Sequence, residues 1–319
     1  MSNFWEKLPK NFIALAPMED VTDTVFRQIL IAADSRPDVF FTEFTNIDGL
    51  LSKGTEKVAQ RLKFKKNELP LVAQIWGNDP DKFYKAAKLL VNLGFSGIDI
   101  NMGCPQRDVV RKNCGGGCIR VPKLAGEIID VVKKGSSGLP VSVKTRIGIK
   151  KIETESWIGH LLNQNLAALT IHLRTVNEMS KVPAHFEELE KIVTLKNKIS
   201  PKTKIIANGD IKSLDQAKIL FDQYNIDGVM IGRGVFENLW VFNPKIDPVT
   251  ISLKERLKFL LKHVQLYEKQ WGKNKNFNAL KKYFKIYTFG IANASEIREI
   301  LMKAENYINV KNIVKNYID

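Results

Sequence analysis

The sequence is short of cysteine. Three occur in 319 residues, an odd number with no disulfide pattern, and this points to a reducing cytoplasm. Long apolar runs are missing as well. None approaches the roughly 20 residues that span a bilayer, so no membrane partner is expected. The opening residues, Met1-Ser2-Asn3-Phe4-Trp5-Glu6-Lys7, carry no cationic segment leading into an apolar one, so no secretory leader is expected. No Gly-x-Gly-x-x-Gly turn follows the first apolar run, which argues against a doubly wound dinucleotide-binding sheet. Histidine is absent near the cysteines. Cys104, Cys114 and Cys118, spaced C-x9-C-x3-C, match no usual zinc arrangement. No metal is expected, and Cys114 and Cys118 read as small packing residues.

Acidic residues are the other shortage. The formal net charge is +15, which points to a polyanionic partner. Nucleic acid is favoured over membrane because no basic amphipathic anchor stands out. The excess is concentrated: residues 249–319 hold 14 Lys and Arg against 6 Asp and Glu.

Eight short apolar runs punctuate the rest, at 12–18, 39–44, 71–76, 97–103, 141–148, 168–174, 204–210 and 228–234. Helix-like segments lie between most of them, at 83–93, 124–132, 157–162, 186–195 and 214–224. Asp79 and Pro80 supply start signals for the first of these. Eight strand–helix units predict an α/β chain folded as a (β/α)8 TIM barrel, residues 1–243. Pro244 and Pro248 bracket a linker. Ser252-Leu253-Lys254-Glu255 then reads as a capping box opening a helix. Further helices at about 278–289, 295–306 and 310–318 make residues 249–319 a small helical bundle.

A barrel gathers its strand ends at one mouth, and polar residues cluster at these ends. Strand 1 ends Pro17-Met18-Glu19-Asp20, and strand 2 ends at Glu43. Strand 3 holds Gln74, strand 4 Asn101 and Cys104, strand 5 Lys144 and Arg146, and strand 6 His172 and Arg174. Strand 7 ends Asn208-Gly209-Asp210 and strand 8 ends Gly232-Arg233-Gly234, where barrels commonly hold phosphate. A Lys and a His inside apolar runs are costly to bury without partners, which favours an enzyme. Gly115-Gly116-Gly117 gives backbone that can come close to a ligand. In the tail, Lys281, Lys282 and Lys285 interleave with Tyr283, Phe284 and Tyr287. The lysines suit an RNA backbone, while the aromatics alone read better as core.

Asn101-Met102-Gly103-Cys104-Pro105 resembles the signature of the tRNA-dihydrouridine synthases, and the resemblance runs from Ala16-Pro17-Met18 to the C-terminal helices. It implies a barrel that binds FMN at its mouth and a helical domain, 249–319, that helps hold tRNA. Pro17 and Met18 are then expected against the flavin ring, and Gln74 as its hydrogen-bonding partner. Lys144 and His172 belong near the pyrimidine end of the flavin. Asn208, Gly209, Asp210, Gly232 and Arg233 match the phosphate-binding segments. Asn101 is expected near the substrate uracil, and Arg174, Lys281 and Lys282 are carried as substrate-binding residues. Cys104 matches the catalytic cysteine.

The implied reaction has two halves. NADPH reduces FMN; a uridine drawn out of the tRNA fold then receives hydride at C6 from the reduced FMN and a proton at C5 from Cys104. A proton donor must be a thiol, so Cys104 is not expected to be strongly acidified. The chain departs from the commoner family pattern at Cys114 and Cys118, which flank the glycines, and at the polar stretch Gln106-Arg107-Asp108. Two competing readings are an FMN barrel reductase of a small pyrimidine and a non-enzymatic RNA binder on a retained barrel. The motif and the basic tail oppose the first, and the intact set of strand-end residues opposes the second. No obligate protein partner is evident.

Overall fold

The computed structural model describes residues 3–272 and 274–318. They form two compact units. One takes in the chain up to Glu19, Pro37–Ile211 and Asp215–Gly232; the other comprises Asp20–Arg36, Lys212–Leu214 and the chain from Arg233 onward.

The first unit is the expected barrel of parallel strands. They are β1 (Phe12–Leu15), β2 (Phe40–Phe41), β3 (Leu71–Trp76), β4 (Gly97–Met102), β5 (Val141–Arg146), β6 (Ala168–His172), β7 (Lys204–Asn208) and β8 (Gly228–Ile231). β8 pairs with β1, Phe12 lying opposite Gly228. A parallel bridge from Ala14 to Val39 closes the ring beside β2. The second run, expected over 39–44, is a regular strand only at Phe40–Phe41. Beyond it the Thr42 hydroxyl accepts from the Gln74 amide at 3.0 Å, a side chain standing in for the backbone ladder. Thr45–Asn46 then rejoins the end of β3.

Side chains alternate across each strand, so every second residue enters the barrel. At the N-terminal end these are apolar. Phe12, Ala14, Val39, Phe41, Val72, Ala168, Ile206 and Met230 form one buried cluster. Trp5, on the turn Phe4–Lys7, joins it, its ring 5.7 Å from Phe12 and 6.3 Å from Phe41. Two residues further along, the same faces turn polar: Val72 is followed by Gln74, Ala168 by Thr170 and His172, and Ile206 by Asn208. The barrel is thus an apolar floor beneath a polar mouth.

The outer helices fall in the expected segments with most ends displaced by two to four residues: Pro80–Leu93, Pro122–Gly135, Glu188–Ile199 and Leu214–Tyr224 stand where 83–93, 124–132, 186–195 and 214–224 are expected. Helix Pro80–Leu93 opens with the Asp79 carboxylate accepting from the Lys82 amide and ends at Gly94, whose φ of +83° suits glycine. It buries Phe83, Ala86, Ala87 and Leu90, while Leu93, counted in the same stripe, is exposed. Burying the Phe83 ring contributes about 2 kcal/mol.

The second unit is helical: Thr24–Ala32, Leu253–Trp271, Phe284–Thr288, Ala294–Met302 and Tyr307–Ile318, with a tight turn at Phe277–Tyr283. The capping box forms, Ser252 accepting from the Glu255 amide and Glu255 from the Ser252 amide. Tyr283, Phe284 and Tyr287 are buried, as the core reading expects. The Phe26 ring stacks on Tyr283 at 5.3 Å. The helix Thr24–Ala32 is therefore bound to the tail helices. Trp271 Nε1 donates to Asp23 at 2.7 Å, and the Tyr283 hydroxyl donates to the carbonyls of Asp20 and Val21. Among the described residues no helix is long and apolar enough to cross a membrane.

Candidate active site at the barrel mouth

β4 delivers Cys104. The strand runs out at Met102, and the turn beyond it is held by Asn101, whose Oδ1 accepts from the amides of Gly103 at 3.1 Å and Cys104 at 2.9 Å. The Cys104 carbonyl accepts from the Gly116 amide at 2.9 Å. Here the structure changes the reading of the three glycines. A Cβ on Gly115 would lie 2.9 Å from Cys104 Cβ, one on Gly116 2.5 Å from a Val176 methyl, and one on Gly117 2.5 Å from the Val110 carbonyl. The backbone comes close to other parts of the protein, and the glycines back the cysteine turn.

Cys104 lines a cavity of about 150 Å³ together with Pro17, Phe44, Asn101, Gly103, Pro105, Lys144 and Arg146. That is room for about one six-membered ring. A larger cleft of about 610 Å³ opens among Lys133, Ser136, Asn165 and Lys202, at the N-terminal end of the barrel, remote from these groups. Barrel chemistry belongs to the opposite face, and the smaller cavity is the candidate site.

Charge in the site follows from burial and neighbours. Burial pushes the Cys104 thiol up, outweighing a Gln106 backbone hydrogen bond and the charges of Arg146 and Lys144. The sulfur therefore stays protonated at neutral pH. Burial, then the adjacent Arg146 charge, lowers Lys144 to about 8, against the pull of Asp99 and Cys104. Its ammonium makes no hydrogen bond to any described residue. Asp99 is fully buried, and burial raises it to about 6, opposed by hydrogen bonds from Ser142 and Gln74 and by the Lys144 charge.

Gln74 and Asn101 face each other across β3 and β4. Gln74 is wholly buried; Nε2 donates to Asp99 at 2.7 Å and Oε1 accepts from Asn101 at 2.9 Å. Arg146 ties three segments together. Nε donates to the Gly103 carbonyl, and Nη1 donates to the carbonyls of Thr175 and Met179, each at 2.9 Å. Asp99, Ser142 and Arg146 carry no role in the sequence reading, although an aspartate inside the apolar run Ile98-Asp99-Ile100 is itself a signal.

The last strands bring a second group together. Asn208 donates to the Met230 carbonyl at 2.8 Å. Gly209 sits at φ +122° beside His172, which is half-buried at the end of β6. Arg174 is 2 % exposed; it pairs with Asp210 and donates through Nε to the Val182 carbonyl at 2.6 Å. The pair offsets the negative charge of Asp210 next to the glycine turn. Gly232 lies beside Met18, 3.8 Å separating the sulfur from the position of a Cβ. Arg233 opens a short turn in the other unit and is exposed.

The tail lysines belong to the other unit. Lys281 donates to the Met302 carbonyl at 2.8 Å, and Lys282 lies 5.5 Å over the Tyr283 ring. Cys114 and Cys118 are buried thiols pushed up to about 11 and about 12, chiefly by burial.

A flavin fits these residues. Thr170 Oγ1 and Arg174 Nη1 are buried without a hydrogen-bond partner among the described residues. Buried polar atoms of this kind in one barrel mouth call for a ligand with several acceptors.

The model of the dihydrouridine synthase family matches residues 14–318. A Staphylococcus epidermidis protein described as a probable tRNA-dihydrouridine synthase is 46 % identical over 318 residues, covering 99 % of this chain and 96 % of its own. A Bacillus subtilis protein described as probable tRNA-dihydrouridine synthase 2 is 43 % identical over 319 residues, with 99 % and 96 % covered. Among solved structures, a morphinone reductase variant in complex with tetrahydroNAD superposes with a TM-score of 0.54 at 12 % identity, covering 75 % of this chain and 87 % of that one. At that identity the likeness is one of fold.

Proposed function

We propose, for a chain that belongs to the dihydrouridine synthase family, that it reduces the C5–C6 double bond of specific uridines in tRNA to 5,6-dihydrouridine, using FMN and NADPH in the cytoplasm. The observation that carries this reading is a half-enclosed Cys104 beside Lys144 in a ring-sized cavity, where burial pushes the thiol up. When bound, reduced FMN supplies the hydride for uracil C6. Cys104 gives its proton to C5, and a thiol raised above its usual range is in the right protonation state to do so.

Lys144, lowered yet still mostly charged at pH 7, stabilises negative charge at the pyrimidine end of the cofactor. His172 and Gln74 complete the ring site, with Pro17 and Met18 against its face. Asn208, Gly209, Asp210 and Gly232 take the phosphate, where the glycine backbone leaves room for close approach and Arg174 neutralises Asp210. Asn101, in the cavity wall beside Cys104, meets the uracil. The basic helices of the tail supply sequence-independent attraction for the RNA backbone.

The test is nucleoside mass spectrometry on unmodified tRNA incubated with the protein, FMN and NADPH. A uridine gaining two hydrogens at one mapped position is the expected result. Yellow, NADPH-oxidising protein that leaves every uridine unchanged would move the substrate to another RNA or a small pyrimidine.

A further inference from the structure

Beneath the cavity lies a line of side chains with a fixed polarity. Asp99 accepts from Ser142 Oγ at 2.6 Å and from Gln74 Nε2 at 2.7 Å. Gln74 Oε1 accepts from Asn101 Nδ2 at 2.9 Å, and Asn101 Oδ1 accepts from the amides of Gly103 and Cys104. A carboxylate can only accept, so Gln74 must turn its nitrogen to Asp99 and its oxygen to Asn101. Asn101 must then turn its nitrogen to Gln74, which leaves its oxygen for the cysteine turn. Amides can point either way where neighbours allow it; here the carboxylate at one end and the Gly103 and Cys104 amides at the other call for the same two orientations. Asp99 and Gln74 are wholly buried, so water does not compete for their bonds.

We propose that Asp99 is a positioning residue: acting through Gln74 and Asn101, it holds the Gly103–Cys104 turn and so sets the place of the Cys104 thiol. The catalytic consequence rests on Cys104 being the proton donor; the placement does not. Register explains why these residues can act together. Gln74 lies opposite Asp99 between β3 and β4, and Ser142 lies opposite Asp99 between β4 and β5, so all three project into the barrel at one level.

The test replaces the polarity and then restores it. Asp99→Asn puts an amide against an amide and replaces a group that can only accept by one that can also donate, so the line loses its fixed polarity at that end. Asp99→Asn combined with Gln74→Glu moves the carboxylate one step along. The amide at 99 then donates to it, its second oxygen accepts from Asn101, and Ser142 donates to the amide oxygen at 99, all at unchanged net charge. The readout is the rate of Cys104 alkylation by iodoacetamide in purified flavin-loaded protein, with Cys104 separated from Cys114 and Cys118 by peptide mass mapping. The single variant is expected to alkylate about tenfold faster, the scale of one net backbone hydrogen bond in a local equilibrium, and the pair to return close to the parent rate.

A folded single variant with the parent rate, or a folded pair that keeps the single variant's rate, overturns the proposal. If Asp99→Asn does not fold, the pair decides alone: a folded pair with the parent rate supports the relay, and an unfolded or fast-alkylating pair refutes it. Failure of the catalytic reading would show elsewhere, as full uridine reduction by Cys104→Ala, and would leave the alkylation result standing.

Discussion

Two groups of buried ionisable side chains, one in the helical unit and one at the barrel mouth, differ in how completely their neighbours satisfy them. In the helical unit, His263 is buried with Nδ1 2.8 Å from the Tyr287 hydroxyl, beside the rings of Phe26 and Tyr283. Burial lowers it to about 4, so it is neutral at pH 7, and burial lifts Tyr287 well above its usual range. At the barrel mouth, burial leaves Lys144 near 8 and Asp99 near 6, both within reach of neutral pH, and the Lys144 ammonium makes no hydrogen bond to a described residue. The first set closes a core; the second leaves donors for something else to meet. Burial alone is poor evidence of function, and burial with unmet donors beside a cavity is much better evidence.

Substitutions at the mouth should have the strongest effect. Cys104→Ala should lower tRNA uridine reduction about a thousandfold, the usual worth of a positioned acid, while flavin content and slow NADPH oxidation persist. Uridine reduction at the parent rate would remove the proton donor from the account. Lys144→Met should cost about a hundredfold in the same assay, as loss of a preorganised charge does. The parent's rate should also fall as pH rises through about 8, because the charged form of Lys144 is the one required and is lost above that point. A basic limb that survives in Lys144→Met belongs to another group.

The helical unit should respond in stability instead. The folded pKa of His263, about 4, lies below its unfolded value of about 6.5. Its contribution is therefore present above pH 6.5 and is lost as pH falls through 6.5 toward 4, amounting to about 3 kcal/mol. Acid unfolding followed by circular dichroism should show this, and His263→Gln should flatten the dependence. An unchanged acid midpoint would mean that the unit does not depend on a neutral imidazole. Smallest of all, Lys258→Glu, on the exposed face of helix Leu253–Trp271, should weaken tRNA binding a few-fold and reduce the salt slope by about one. An unchanged slope would take that helix face off the RNA.

The barrel and its mouth are legible in the amino-acid sequence. Apolar runs ending in polar residues mark them, because residue patterning and strand ends are local properties of the chain. The capping boundary at Ser252 is legible for the same reason. Three features are hidden, each set by tertiary contact. Residues 20–36 follow the first strand, where a barrel helix belongs; the bonds from Trp271 and Tyr283 that tie them to the tail helices come from more than 240 positions away. The three glycines look like a ligand loop, and only the packing of Cys104, Val176 and Val110 shows what they touch. Asp99 announces itself as a charge in an apolar run, but its partners Gln74 and Ser142 arrive from other strands.

The measurement that bears most directly on the central claim is the titration of Cys104, followed as its alkylation rate against pH in flavin-loaded protein. A proton donor predicts a half-point above the ordinary thiol range of about 8.5, with little thiolate at pH 7. A half-point below pH 7 would mean a standing thiolate, and Cys104 would then be a nucleophile with no proton to give.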